Sequence, residues 1–184
     1  MKKTVICVLV ITLMLTLCGC GGGEEAKYEE FRQRLAAANE LGFTARLSAE
    51  FTEKTESFTL SFFKDSEGCT VEILEPESVR GIKAHVAADG TRLEYDGVIL
   101  DVGKLTDRGL TPMSALPLLV TALNDAHIVS AVTENELLCV TLEPEDELII
   151  KLWLDGDTLA PVNAEMIYEG VSVIFAEIEN WSIN

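Results

Sequence analysis

Apolar and polar residues alternate at a period of two in several successive segments of this chain. Between Phe43 and Phe51 every odd position is apolar and every even position is polar, which predicts a β-strand with one buried face. The alternation recurs at residues 58–62, 69–73 and 82–88, and further strand segments lie between turns at residues 93–95, 98–102, 128–133, 137–142, 148–154, 162–168 and 171–178. Short turns such as Asp89-Gly90 and Asp96-Gly97 separate these segments and favour hairpins. We therefore expect a mainly β protein of about eleven strands, arranged as an antiparallel meander or barrel.

The segment from Glu24 to Leu41 departs from this alternation. Its apolar residues recur at steps of three and four, with charged residues between them, and Gly42 follows. This spacing predicts an N-terminal amphipathic helix that ends at the glycine.

A second segment, from Thr111 to Leu123, carries no charge and predicts a mid-chain helix. Thr111 suits the N-cap and Pro112 suits the first helical position, whereas Pro117 is expected to disturb or restart the first turn. A helix that is apolar nearly all round has to be covered by protein. We expect this apolar helix to plug the sheet or to cover it as a lid.

The N-terminal residues have the layout of a secretory signal peptide. Lys2 and Lys3 precede an uncharged, mostly apolar run over residues 4–17, and small residues follow it. A helix needs about 20 apolar residues to cross the hydrocarbon core of a bilayer, so this run is too short. We expect a signal peptide over residues 1–19, a short polar spacer over residues 20–25, and one domain over residues 26–184.

The residues Leu17-Cys18-Gly19-Cys20 resemble a bacterial lipobox, in which the cysteine after the cleavage site is acylated. This resemblance implies that Cys20 carries a diacylglyceryl group and an acyl chain such as palmitate. Two acyl chains give stable anchoring where one does not. Cys18 is the alternative acylation site, and an ordinary secretory signal with incidental cysteines is the other alternative. The resemblance places the protein on the outer face of the cell membrane.

The charge balance excludes several partners. The sequence has 14 basic and 31 acidic residues, for a formal net charge of −17, and Lys2 and Lys3 leave with the signal peptide. Such a chain repels nucleic acid and anionic lipid head groups, so the membrane anchor has to be covalent. Two cysteines, Cys69 and Cys139, remain in the mature domain. From their positions in the alternating strands, the side chains of Cys69 and Cys139 are expected on opposite faces of the sheet. This favours unpaired thiols.

The sequence contains no catalytic motif. The only histidines, His85 and His127, are expected on a polar strand face and at the C-terminal end of the apolar helix, and neither position is typical of a general base. The acidic residues between Glu143 and Glu147 are oxygen ligands of the kind that calcium prefers, but a solvated turn explains them better. We expect no enzymatic activity, no metal and no cofactor.

The order of helix, strands, apolar helix and strands is similar to that of the LolA/LolB-like superfamily of envelope lipoproteins, including clostridial sporulation and germination lipoproteins. The resemblance covers essentially the whole mature chain. The residues on which the resemblance rests are Phe31 to Leu35 followed by Phe43 to Leu47, the hairpin from Ala88 to Asp96, Thr111-Pro112, and Val140 to Glu145. It implies an incomplete antiparallel β-barrel with a hydrophobic cavity under helical lids. The lipoprotein carriers of this superfamily have an arginine-proline pair where this chain has Lys64-Asp65. They also have aromatic residues where this chain has Glu94 and Gly97. A tethered receptor or sensor therefore fits this chain better than a protein that carries lipoproteins across the envelope.

Two functions follow from this resemblance. The first is binding of a lipid or acylated protein segment in a cavity. Its expected lining and lid residues are Leu47, Phe51, Leu60, Phe62, Met113, Leu116, Leu119, Val120 and Leu123. The second is a non-enzymatic adaptor, which docks an exported envelope or cell-wall enzyme, for example an amidase, through its acidic exterior or an exposed strand edge.

Overall fold

A computed structural model of the chain describes residues 22–51, 54–103 and 110–184. The signal peptide and the acylation site predicted at Cys20 lie outside these residues. Two α-helices, one 3-10 turn and eleven strands follow one another in this order: α1 (Gly22–Ala37), β1 (Leu41–Phe51), β2 (Lys54–Lys64), β3 (Cys69–Glu75), the 3-10 turn (Glu77–Val79), β4 (Lys83–Ala87), β5 (Gly90–Tyr95), β6 (Val98–Gly103), α2 (Pro112–Asp125), β7 (His127–Glu134), β8 (Leu137–Glu145), β9 (Leu148–Asp155), β10 (Pro161–Tyr168) and β11 (Val171–Ile183).

All eleven strands form one antiparallel sheet, in the order β6-β5-β4-β3-β2-β1-β11-β10-β9-β8-β7. The sheet is open in the described part of the chain, with β6 and β7 at its two edges. β1 lies near the centre, where Leu47 pairs with Phe58 of β2 and with Ala176 of β11. The predicted mainly β fold, with an incomplete antiparallel barrel and two helices, is confirmed.

The turns follow the expected chemistry. Asp96 and Gly97 both have positive φ, 49° and 78°, as a type I′ hairpin turn between β5 and β6 requires. Glu169 and Gly170 repeat this arrangement between β10 and β11, with φ of 50° and 79°. These two-residue turns fix the register of their hairpins.

The inner face of the sheet and both helices build one hydrophobic core. Along β1 the odd positions are buried, from Leu41 to Ala49, as their alternation predicted. Trp181 of β11 lies 6.1 Å from Phe31 of α1 and 5.1 Å from Phe43 of β1, measured between ring centroids. This aromatic cluster fixes α1 to the middle of the sheet.

Two helix boundaries differ from the expectation. α1 ends at Ala37 and not at Leu41, because Leu41 already pairs with Lys64 and Ile183 as the first residue of β1. α1 also begins at Gly22, inside the segment expected to form a spacer. Pro117 lies within a continuous α2 and does not restart it. A proline at the sixth helical position removes only one backbone hydrogen bond, and buried packing offsets that loss.

The two cysteines lie on opposite faces of the sheet. Cys69 packs against the core, whereas Cys139 alternates with the buried residues Leu138 and Val140 and faces outwards. Both thiols are free. Within the described residues, no helix has the length and apolar character needed to cross a membrane.

Candidate functional site

The N-terminus of α2 is fixed by its own first residues. Thr111 caps the helix, since its side-chain oxygen accepts a hydrogen bond from the backbone N–H of Ser114 at 3.2 Å. In return, the Ser114 hydroxyl oxygen accepts one from the Thr111 backbone N–H at 2.8 Å. This reciprocal capping box and Pro112 define where α2 starts.

The C-terminus of α2 is held by α1. The Tyr28 hydroxyl donates to the backbone carbonyl of Leu123 at 3.0 Å, and Nε of Arg32 donates to the same carbonyl at 3.2 Å. Nη2 of Arg32 donates to the carbonyl of Ala126 at 2.7 Å. The last carbonyls of a helix lack partners within it and carry partial negative charge, so a guanidinium there satisfies them and opposes the helix dipole. We call these contacts the α1–α2 clasp.

Burial raises the pKa of the tyrosine in the clasp. Tyr28 is fully buried, and this burial raises the pKa of its hydroxyl to about 12. The Arg32 guanidinium lies 5.1 Å from the centre of the Tyr28 ring, which adds a cation–π contact. The clasp therefore holds α2 over the sheet with a neutral tyrosine at neutral pH.

An open cleft of about 470 Å³ lies where both helices meet β2, β3 and β4. We call it the helix–sheet cleft. Its apolar walls come from distant parts of the chain: Leu35 of α1, Phe62, Cys69 and Val86 of the strands, and Pro117 and Val120 of α2. Lys64, Asn124 and Asp125 also line it and supply its polar groups.

Gly68 shapes one wall of this cleft. A Cβ at this position would collide with the backbone carbonyl of Val86, and the φ of 150° also favours glycine. The close approach brings Cys69 beside Val86, with which it pairs across β3 and β4. Burial raises the pKa of the Cys69 thiol to about 11, so the thiol is protonated and unreactive at neutral pH.

The predicted cavity residues fall into four groups. Phe62 and Val120 line the helix–sheet cleft. Met113 is half-buried against the core. The side chain of Phe51 lies outside the described residues. Five others are fully buried with 0% exposure and fill the core: Leu47, Leu60, Leu116, Leu119 and Leu123.

The apolar helix thus contributes to the cleft through one side and to the core through the other. The cleft residues that sequence reasoning missed are Leu35, Cys69, Val86 and Pro117. Cys69 and Val86 have the strand parity of buried residues, which is the one signal that pointed to them. Nothing in the sequence indicates that α1 and β4 meet.

The histidines do not assemble a catalytic site. His85 lies on the outer face, with Nδ1 3.1 Å from the Thr70 hydroxyl and Nε2 3.1 Å from the Glu94 carboxylate. His127 is exposed at the start of β7. No group of three or more His, Cys, Asp or Glu side chains in the described ranges is arranged to hold a metal ion.

One edge of the sheet exposes apolar side chains. On β6, Val98, Ile99 and Leu100 are 68%, 65% and 60% exposed, and the neighbouring Tyr95 of β5 is 52% exposed. We call these four residues the β6 patch. A run of three exposed apolar residues on an edge strand is unusual for a soluble domain, because it offers both backbone and side-chain contacts to other chains.

Comparison with known proteins identifies the fold. No protein-family model and no curated protein matches the sequence. Among solved structures, a LolA superfamily protein from Nitrosomonas europaea matches with a TM-score of 0.50 and 10% identity, over 88% of this chain and 93% of that one. A putative outer membrane lipoprotein-sorting protein domain from Vibrio parahaemolyticus matches with a TM-score of 0.50 and 11% identity, over 86% and 91%. An uncharacterized conserved protein from Thermus thermophilus matches with a TM-score of 0.54 and 9% identity, over 86% and 88%.

These similarities define a LolA-like fold, as the order of elements in the sequence predicted. At such identities they concern the backbone arrangement, so the site has to be argued from this chain's own residues.

Proposed function

We propose that this chain is a bacterial lipoprotein, tethered through Cys20 to the outer face of the cell membrane, that binds a hydrophobic ligand in the helix–sheet cleft. The ligand class is a lipid or the acyl chain of a modified protein segment. The observation that carries this proposal is the cleft itself, an open space of about 470 Å³ lined by apolar residues of both helices and three strands, together with Lys64, Thr121, Asn124 and Asp125. The LolA-like fold supports it.

The size and lining of the cleft suit such a ligand. Small-molecule sites have volumes of about 300–1,000 Å³ and are mostly apolar with a few polar groups. Burying a methylene is worth about 0.8 kcal/mol, so ten methylenes give strong binding without an ion pair. Lys64 on the cleft lining is available to a polar head group, whereas Nδ2 of Asn124 already donates to the Val120 carbonyl at 2.9 Å.

The proposed tether would be joined to the cleft through α1. α1 begins at Gly22, two positions after Cys20, and it lines the cleft through Leu35, about 20 Å further along the helix at 1.5 Å per residue. A protein anchored in this way receives a ligand from the bilayer or from a neighbouring protein and does not carry it freely across the envelope.

Uptake of a fluorescent acyl probe tests the proposal. We expect the soluble domain to bind a C12 fatty acid with a terminal fluorophore, and Val86→Trp, which fills the cleft, to weaken binding by at least about tenfold, equivalent to about 1.4 kcal/mol. Val132→Trp is the matched control, because Val132 is 47% exposed on β7, away from the cleft. Equal binding by all three proteins would show that the cleft is not the ligand site.

A second candidate function is a non-enzymatic adaptor that docks an exported protein. One observation favours it, namely the exposed β6 patch on an edge strand. Capture of one defined protein from an envelope extract, lost when β6 is altered, is the result that this function predicts.

A further inference from the structure

The β6 patch lies at one edge of the sheet. Leu100 pairs with Leu93 and Val98 pairs with Tyr95, which places their side chains on the inner face, whereas Ile99 pairs with Glu94 on the outer face. In the described residues β6 pairs only with β5. The strand therefore offers unpaired backbone groups together with apolar side chains on both faces.

The stretch from Val98 to Leu100 has no charged residue, proline or register shift of the kind that protects edge strands. Natural edges carry lysine, proline or a bulge that prevents pairing with other chains. β6 contains no lysine, arginine or proline, and its register shift falls at the end next to Gly103. The opposite edge strand, β7, has a register shift between Ile128 and Ser130 near its start.

Among the described residues, the charges that flank the β6 patch are acidic, and they indicate the kind of partner. Asp96 and Asp101 are exposed beside the patch. The one arginine of β5, Arg92, is already paired with Asp89 at 2.7 Å. A second copy of this chain would bring the same acidic residues together under a whole-chain net charge of −17. Charge complementarity therefore favours a basic partner over self-association.

We propose that the edge of β6 pairs with an extended, basic segment of an exported protein, in which apolar residues alternate with lysine or arginine. The main-chain hydrogen bonds would extend the sheet, and the side chains of one face would pack on the β6 patch. This inference rests on the adaptor function proposed above, for which it names the docking surface and the chemistry of the partner.

Blocked, fluorescein-labelled hexapeptides test the pairing directly by fluorescence anisotropy. One peptide alternates valine with lysine, a second alternates valine with glutamate, and a third repeats the first with methylated backbone nitrogens that cannot donate hydrogen bonds. We expect saturable binding of the first peptide, and binding at least about tenfold weaker for the other two. Absence of binding by the first peptide, or equal binding of all three, would overturn the proposal.

Variants locate the binding. Asp101→Lys should weaken the lysine peptide roughly two- to fivefold, as expected for loss of a surface ion pair. Leu100→Asp should weaken its binding at least about tenfold, since loss of the apolar contact outweighs the attraction of one more surface carboxylate for the lysine side chains. Val171→Lys is the control, because Val171 is 59% exposed on β11, a strand with neighbours on both sides. An unchanged affinity in Leu100→Asp would show that the peptide binds elsewhere.

Two further measurements separate this inference from the adaptor function. If an envelope protein is captured equally by the wild type and by Leu100→Asp, the adaptor function stands and the role of β6 fails. If the lysine peptide binds as described but no envelope protein is captured, the chemistry of the edge stands and the adaptor function fails. A wild-type dimer in sedimentation that Leu100→Asp dissociates would identify a second copy as the occupant and overturn the proposal.

Discussion

The α1–α2 clasp makes a quantitative prediction because two donors share one buried carbonyl. Tyr28→Phe removes the hydroxyl that donates to Leu123 but keeps the ring under the Arg32 guanidinium. Arg32→Met removes the donors to Leu123 and Ala126 and keeps much of the side-chain length. Each single variant leaves the Leu123 carbonyl with one donor, whereas the double variant leaves it with neither.

The expected losses in the free energy of unfolding follow from the number of donors that each variant leaves to the Leu123 carbonyl. Tyr28→Phe should lower the free energy of unfolding by about 1 kcal/mol, the net value of one neutral hydrogen bond. Arg32→Met should lower it by about 2 kcal/mol, because hydrogen bonds from a charged group are stronger. The double variant should lose about 4 kcal/mol, roughly 1 kcal/mol more than the sum, because a buried carbonyl without a partner carries a further desolvation cost.

Urea denaturation at neutral pH measures these free energies. Arg34→Met is the matched control, since Arg34 lies on the same helix and donates to Thr158 at 3.3 Å in an exposed position, so it should cost about 0.5 kcal/mol or less. Additivity of the two single variants within about 0.5 kcal/mol, or a double variant that loses less than the sum, would refute the shared-carbonyl reasoning.

Three further predictions concern the clasp, the anchor and the helix start. Burial raises the pKa of Tyr28 to about 12 from 10.0, so its stabilising contribution is complete below pH 10 and is lost as the pH rises towards 12. In urea titrations at alkaline pH, the free energy of unfolding of Tyr28→Phe should therefore fall less steeply with pH than that of the wild type. The same dependence on pH in both proteins would contradict the burial argument. Cys20→Ser should release the protein from the membrane fraction and abolish its labelling with radioactive palmitate, whereas Cys18→Ser should do neither; membrane retention of Cys20→Ser would disprove the acylation site. Thr111→Ala should lower the free energy of unfolding by about 1 kcal/mol through loss of the cap on α2, while Thr111→Ser should keep most of it; equal losses in the two variants would mean that the hydroxyl does not act as a cap.

The strands were predictable because their signal is local. In β1 and β2 a half-buried strand imposes alternation on its own residues, and turns such as Asp96-Gly97 need positive φ that few residues tolerate. The end of α1 was not predictable, because Leu41 fits the last turn of a helix and the first position of a strand equally well. Its pairing with Lys64 and Ile183 decides between them, and that contact is absent from the local sequence.

The cleft was less predictable than the fold for the same reason. Phe62 and Val120 line the helix–sheet cleft, whereas Leu119 and Leu123 have the same apolar character and fill the core. Which side of α2 faces the cleft depends on how α1 packs against it. Arg32 sets that packing through carbonyls far along the chain, and no pattern in the sequence links them.

The central claim, that the chain binds a hydrophobic ligand in the helix–sheet cleft, is tested most directly by native mass spectrometry of the domain from Glu24 to Asn184. The domain is expressed in a bacterial envelope and compared before and after organic extraction, alongside Val86→Trp and the control Val132→Trp. We predict a stoichiometric, extractable lipid on the wild type and on Val132→Trp, and none on Val86→Trp. A folded wild-type domain that carries no extractable mass, or a lipid retained equally by Val86→Trp, would contradict the claim.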